Sequence, residues 1–421
     1  MKKDPLSQNE DHTHLKSSLN STHVTRNTKS NLPLELLFLI TCCQVQPDHE
    51  EIMLQMEDGR WKMEDWREII TAATRHGILP LIYKTLKNLS ERAHLPATHY
   101  PLNAEILADL KTYYMSISQR NMLMTAELLR IMKLLEEHDI PALAFKGPAL
   151  SQMAYGDITL RQYSDLDILT KKEDVYKIDA LLKAQGYERL LALTPVQEKI
   201  WIKYAHDMGL IHKEKRVHFE MHWSFLDEDY PMQVDLENFW EETQTVRING
   251  RDIPVFANEN LLYYLCIHGS KHLWERIEWI KDIDLLARNH EIDWEKVIQK
   301  AKGSGFEKML YLGLSLSRSL FDTPLPETVL AQISMHPELP GLETFILESW
   351  QNKKSTFAKT SAMLKLFPGT KEKLLYLHKI ILKPSFNEYW YVDLPKGFYW
   401  AYYLVRPYLL LKKYLTKEKA P

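Results

Sequence analysis

Residues 142–170 read ALAFKGPALSQMAYGDITLRQYSDLDILT, and this stretch decides the fold. Its first four residues form a short apolar run suited to a buried strand. Lys146-Gly147-Pro148 breaks the run, Gly allowing a tight turn and Pro fitting the first turn of a helix. The spacing predicts a helix over about 148–155 that stops at Gly156. Free N–H groups at its start, beside the Lys146 ammonium, predict a phosphate-sized anion site. Beyond Arg161, the segment Ser164-Asp165-Leu166-Asp167-Ile168-Leu169 alternates polar and apolar with period two. Both aspartates therefore face one side of a strand, about 6.6 Å apart at Cα. Carboxylates placed in this way repel each other unless a proton or a hard cation lies between them.

A third carboxylate follows. Residues 206–225, HDMGLIHKEKRVHFEMHWSF, predict a β-hairpin turning at Lys213-Glu214-Lys215. On the return strand Val217, Phe219 and Met221 share one face, and His218, Glu220 and His222 share the other. Glu220, flanked by two histidines, is the candidate to complete an acidic site with Asp165 and Asp167. His222 is a candidate proton carrier. Asn249-Gly250, between two polar-apolar runs, is the strongest short hairpin signal in the chain and closes the sheet near Phe256.

A strand ending in Lys-Gly, a helix, Arg161, Asp165-x-Asp167 and the Glu220-x-His222-Trp223 strand resemble the nucleotidyltransferase superfamily of DNA polymerase β. More narrowly, the chain is similar to a bacterial group of nucleotidyltransferase family proteins. The resemblance implies an α+β fold: a small mixed β-sheet core flanked by helical N-terminal and C-terminal modules. It implies a nucleotidyl group moved from an NTP, ATP included, to a hydroxyl or phosphate of a small-molecule, sugar or peptide acceptor. It also implies Mg²⁺ or Mn²⁺ held by Asp165, Asp167 and Glu220, with these three as the catalytic residues. The superfamily's usual phosphate turn is Gly-Ser; here it is Lys146-Gly147-Pro148, the form the narrower group shares. Members of that group are encoded with capsule, polysaccharide and peptide-modification systems.

Residues 260–289 are the second informative stretch. Leu262, Leu265, Trp279, Ile283 and Leu286 predict the apolar face of one helix or two. His268, Lys271, His272, Glu275 and Arg276 recur at three- and four-residue spacing and share a surface. In the narrower family the corresponding segment implies a face closing over the nucleotide. Lys271 and Arg276, with Lys146, Gly147 and Arg161, are thus the candidate phosphate contacts. His268 and His272 have the spacing of a zinc metalloprotease helix, but Gly269 stands where that motif carries its glutamate.

The remaining chain sets limits. Its 421 residues allow two or three domains, and 45% hydrophobic content is ample for their cores. A net charge of −3 gives no basic field for gripping nucleic-acid phosphates, so nucleic acid is disfavoured as a partner. Cys42, Cys43 and Cys266 make neither a disulfide framework nor a zinc site, which suits a reducing cytoplasm. Residues 1–31 read as a disordered polar tail, 32–140 as a helical module, 141–258 as the nucleotidyltransferase core and 259–421 as a helical region. Residues 34–43 are apolar but too short to span a membrane and predict a buried helix. The long pattern over 102–137 places Leu123, Leu128, Leu129, Met132 and Leu135 on a covering face. Residues 398–413, FYWAYYLVRPYLLLKK, predict a helix packing its aromatics on the rest of the protein, lying on a membrane surface or holding an acceptor peptide. The rival class is a non-catalytic nucleotide-binding or regulatory protein on the same fold, against which the intact Asp165, Asp167 and Glu220 argue.

Overall fold

The structure is a computed structural model describing residues 32–59, 61–92, 102–383, 398 and 401–416; the expected tail over 1–31 lies outside the described residues. Among the described residues four helices come first: α1 (Leu34–Cys42), α2 (His49–Gly59), α3 (Met63–Arg75) and α4 (Leu79–Arg92). The apolar run over 34–43 is the buried helix its composition predicts, with Phe38 and Leu39 at 0% exposure. The long α5 (Ala104–Glu136) starts where the Asn103 side chain accepts from the Glu105 N–H at 3.0 Å. Its covering face is set by Met124, Leu128, Ile131 and Leu135, all buried, while Leu123 turns out to solvent. The 3.6-residue period puts Leu123 one position off the stripe.

The sheet follows: β1 (Ala142–Ala144), β2 (Asp165–Thr170), β3 (Tyr187–Arg189), β4 (Asp207–His212), β5 (Val217–His222), β6 (Thr243–Ile248) and β7 (Arg251–Phe256). These form one seven-stranded mixed sheet in the order β3-β4-β5-β2-β1-β7-β6. The β4–β5 and β6–β7 pairs are the two predicted hairpins. Asn249 and Gly250 take φ of 47° and 82° in the second turn, as a type I′ turn requires. Between β1 and β2 lie α6 (Gly147–Leu150), a wider π-type turn over Ser151–Tyr155, and a stop at Gly156 with φ 67°. α7 (Val175–Ala184), α8 (Pro195–Tyr204) and α9 (Glu237–Glu241) occupy the other connections.

Helices complete the chain: α10 (Asn258–Lys271), α11 (Ile277–Asn289), α12 (Trp294–Ser304), α13 (Glu307–Phe321), α14 (Glu327–Ser334), α15 (Leu339–Gln351), α16 (Thr356–Leu366), α17 (Thr370–Ile381) and α18 (Tyr402–Thr416). Leu273 and Trp274 join α10 to α11 in the left-handed region, with φ of 48° and 51°. The Trp274 ring, fully buried, lies between Gly269 of α10 and Gly313 of α13. One contiguous hydrophobic cluster runs through the molecule from Leu36 to Phe367. On α18 Tyr402 is buried whereas Tyr403 and Tyr408 face out, so only part of that helix packs its aromatics inward. Among the described residues no helix is long and apolar enough to cross a membrane.

Candidate active site

The acidic residues meet because of strand register. β2 and β5 run parallel with Asp165 opposite His218, Asp167 opposite Glu220 and Leu169 opposite His222. Side chains alternate along a strand, so Asp165, Asp167, Glu220 and His222 stand on one face of the sheet. β4 pairs on the far side of β5 with Asp207 opposite His222, which brings a further carboxylate to the same end. Val217, Phe219 and Met221 fill the opposite face at 0% exposure, as the alternation predicts.

This end of the sheet opens into a cleft of about 530 Å³ whose other wall is α10 and α11. Lys146, Arg161, Asp165, Glu220, Lys271 and Arg276 all line it. So do His268, His272 and Glu275, which bears out the shared surface expected of their spacing. Asp167 lies just beneath, 2% exposed. The Lys146 ammonium donates to Asp167 Oδ1 at 2.9 Å. His222 Nε2 lies 3.2 Å from the same oxygen and 3.4 Å from Glu220 Oε2. Asp167 Oδ2 is buried with no hydrogen-bond partner.

These contacts sort the carboxyl groups. Burial would raise Asp167, but the Lys146 charge and the His222 bond outweigh it and hold the group well below the usual carboxylate range. Asp165 has no such partner; burial and the neighbouring Asp167 push it up to about 6, against the pull of Lys146. The bond from His222 lowers Glu220. His222, which burial alone would depress, is raised to about 9 by its bonds to Asp167 and Glu220. At neutral pH the centre therefore sets two cations, Lys146 and His222, against the carboxyl groups of Asp165, Asp167 and Glu220.

Hard oxygen donors around an orphaned, buried Asp167 oxygen fit a small divalent cation. Asp167, Glu220 and His222 offer ligand atoms within 4.8 Å of one another, as do His206, Asp207 and His222. Asp165 belongs to neither trio; it stands two residues from Asp167 on the same face of β2.

Other candidates divide. Gly147 takes φ 53°, with Asp165 O 3.2 Å from where a Cβ would sit. It is buried with the rest of α6 and is not among the residues lining the cleft, so the expected anion turn is represented there by Lys146 alone. Arg161, 5% exposed, makes two bonds to Asp282 at 2.9 Å and pairs with Glu278 at 2.9 Å. Trp279, expected on the apolar face with Leu262, Leu265, Ile283 and Leu286, sits at its margin. The other four are buried, whereas Trp279 is half-buried and lines the cleft.

Sequence reasoning missed three residues. Glu278 is pushed up to about 8 by burial and by Asp282, against the pull of Arg161; its spacing of four from Asp282 was the available signal. Asp227 Oδ1 lies 2.7 Å from His206 Nδ1, and Asp227 Oδ2 accepts from Lys379 at 2.8 Å. Nothing local marks either residue.

A mixed sheet carrying Asp-x-Asp and a parallel-strand glutamate at one end, beneath a helical wall bearing cations, defines a nucleotidyltransferase, a transferase of phosphorus-containing groups. The chain belongs to the family described as uncharacterised nucleotidyltransferase, whose sequence model matches residues 62–322. No curated protein matches it. Among solved structures it is similar to ANT(2″)-Ia in complex with adenylyl-2″-tobramycin, at 14% identity and a TM-score of 0.32 over 42% of this chain and 95% of that one. It is also similar to the lincosamide antibiotic adenylyltransferase LnuA with lincomycin bound, at 20% identity and a TM-score of 0.29 over 39% and 97%. A third is an antigenic nucleotidyltransferase-like protein from Paracoccidioides brasiliensis, at 15% identity and a TM-score of 0.30 over 50% and 96%.

Proposed function

We propose that the protein moves a nucleotidyl group from an NTP to a hydroxyl or phosphate of a small-molecule, sugar or peptide acceptor. The observation that carries this reading is the register that sets Glu220 beside Asp167, with Asp165 two residues along, in a cleft shared with Lys146, Lys271 and Arg276. Lys271 and Arg276 contact the donor's phosphates, and Lys146 keeps Asp167 ionised in its buried position. His222 fixes Asp167 and Glu220 relative to each other through one ring nitrogen. Glu220, held low and therefore ionised, accepts the proton of the acceptor hydroxyl. The acceptor oxygen then bonds to the α-phosphorus as the α–β bridge breaks and pyrophosphate leaves. Asp165, Asp167 and Glu220 would hold Mg²⁺, which when bound supplies neutralisation of the charge spread over the phosphates.

Incubation with each labelled NTP and Mg²⁺ is expected to release pyrophosphate and label an acceptor. The Asp165→Ala/Asp167→Ala double variant is expected to do neither. Equal release from the two proteins sinks the assignment of these residues.

A further inference from the structure

A run of rings lines the helical wall of the cleft, and it begins at the carboxylates. The Lys146 ammonium, bonded to Asp167, lies 5.8 Å from the centroid of Tyr264 on α10. Tyr264 is 5.8 Å from His268 one turn further along, and His268 meets Trp279 of α11 edge to face at 5.1 Å. His272 reaches the same indole at 5.6 Å. Trp279 and His268 are only half-buried and face the cleft, although the apolar residues around them on α10 and α11 are sealed in the core. Core packing therefore accounts for Leu262, Leu265, Ile283 and Leu286 but leaves part of an indole open to the cleft beside a charged site.

The surroundings say what that surface suits. Burial, together with the charges of Lys146, His272 and Lys271, holds His268 well below the usual imidazole range. It is a neutral ring offering one donor and one acceptor. The Arg276 guanidinium lies 6.0 Å from the Trp279 centroid, and Lys271 lines the same wall. Flat π surface, a neutral imidazole edge and nearby cations suit a planar heteroaromatic body that carries an anionic tail.

We propose that Trp279, with His268 at its edge, is the platform on which the donor's nucleobase stacks, the triphosphate running back past Tyr264 toward Lys146. This rests on the reading of the cleft as a nucleotide site. It adds that a substantial part of donor affinity comes from the base, and that stacking accepts more than one base because every base has a π face.

Equilibrium dialysis with ATP and, separately, inorganic tripolyphosphate tests it on the wild type, Trp279→Leu and Trp279→Phe, each with Mg²⁺. Trp279→Leu is expected to weaken ATP about 10- to 100-fold, the range that stacking of one base supports, and to leave tripolyphosphate unchanged. Trp279→Phe, which keeps a ring, is expected to recover most of the ATP affinity. Unchanged ATP binding by Trp279→Leu overturns the platform while leaving the phosphate site standing. Equal weakening of ATP and tripolyphosphate overturns it too, because the loss is then not of the base. Failure of the wild type to bind either ligand overturns the nucleotide reading itself and the platform with it.

Discussion

Arg161 shows how one residue can border a site and still act mainly as structure. Its guanidinium is buried between Asp282 and Glu278, and Tyr155 adds a 2.8 Å bond to the same Asp282. Removing the cation leaves Asp282 buried without its charge partner. Arg161→Met is therefore expected to lower unfolding stability by about 3–5 kcal/mol in urea titration, whereas Arg161→Met/Asp282→Leu costs less than the single change, since the stranded charge has gone. Equal losses in the two proteins would show that the pair is not what holds this region. From sequence, Arg161 could be placed near phosphates but not assigned a partner, because Asp282 lies 121 residues away. Asp165, Asp167 and Glu220 were legible for the opposite reason: period-two alternation fixes which side chains share a face, and parallel pairing of their strands then fixes which are neighbours. The place of His222 was only half legible. Its strand face could be read, but the bond to Asp167 depends on a register that no local pattern specifies.

At the scale of elements, the junction of α10 and α11 is the most constrained. Trp274 is held with φ 51° and fills the gap between two helices that carry glycine where they face it. A Cβ at Gly269 would come within 2.4 Å of the indole, and one at Gly313 within 2.8 Å of Cys266 Sγ and 2.9 Å of the indole. Gly269→Ala and Gly313→Ala are each expected to cost about 1–3 kcal/mol by overpacking, read as a fall in thermal midpoint. Gly303→Ala, where nothing lies within 4 Å, is the matched control and should leave the midpoint unchanged or higher. Apolar periodicity marks this stretch as one helix or two. The break between them was not legible, because Leu273-Trp274 carries neither glycine, which usually announces left-handed backbone, nor proline, which usually breaks a helix. Trp279 was misplaced for a related reason: a period assigns a residue to a stripe but not to the stripe's edge, where an indole can be half covered and half open.

For the whole molecule, two buried groups tie its layers together and respond to acid. Glu127 of α5 binds Arg130, Lys215 from the β4–β5 turn and Tyr187 of β3; those bonds outweigh burial and lower its carboxyl to about 2. His76, after α3, has its carbonyl bonded by the Glu278 N–H at 3.1 Å and its ring 5.4 Å from Trp350. Burial and the charges of Arg75 and Arg276 lower it from 6.5 to about 3. Both groups resist protons that the unfolded chain accepts, so both contribute stability that is lost as pH falls. The His76 contribution goes between 6.5 and about 3, and the Glu127 contribution between 4.5 and about 2. Urea midpoints measured from pH 7 to 3 should fall, and Glu127→Gln should flatten the slope below 4.5. A slope that Glu127→Gln leaves unchanged excludes this carboxylate as a contributor. The order of the strands and the single cluster joining both sets of helices could not be read from any one segment, because the parallel β1–β7 and β2–β5 pairings bridge residues far apart in the chain.

The contact from α17 to the cleft rim carries a last consequence. Lys379 reaches Asp227, the residue that grips His206, across 152 positions of sequence, and Lys359 anchors Glu275 of the rim at 2.6 Å. The carboxy-terminal helices thus serve as scaffolding for a pocket built almost entirely upstream of them. Trimming the gene to the segment that matches the family would remove that brace, and recombinant fragments ending near residue 322 should be judged on whether His206 still keeps its orientation before any lack of turnover is charged to the carboxylates.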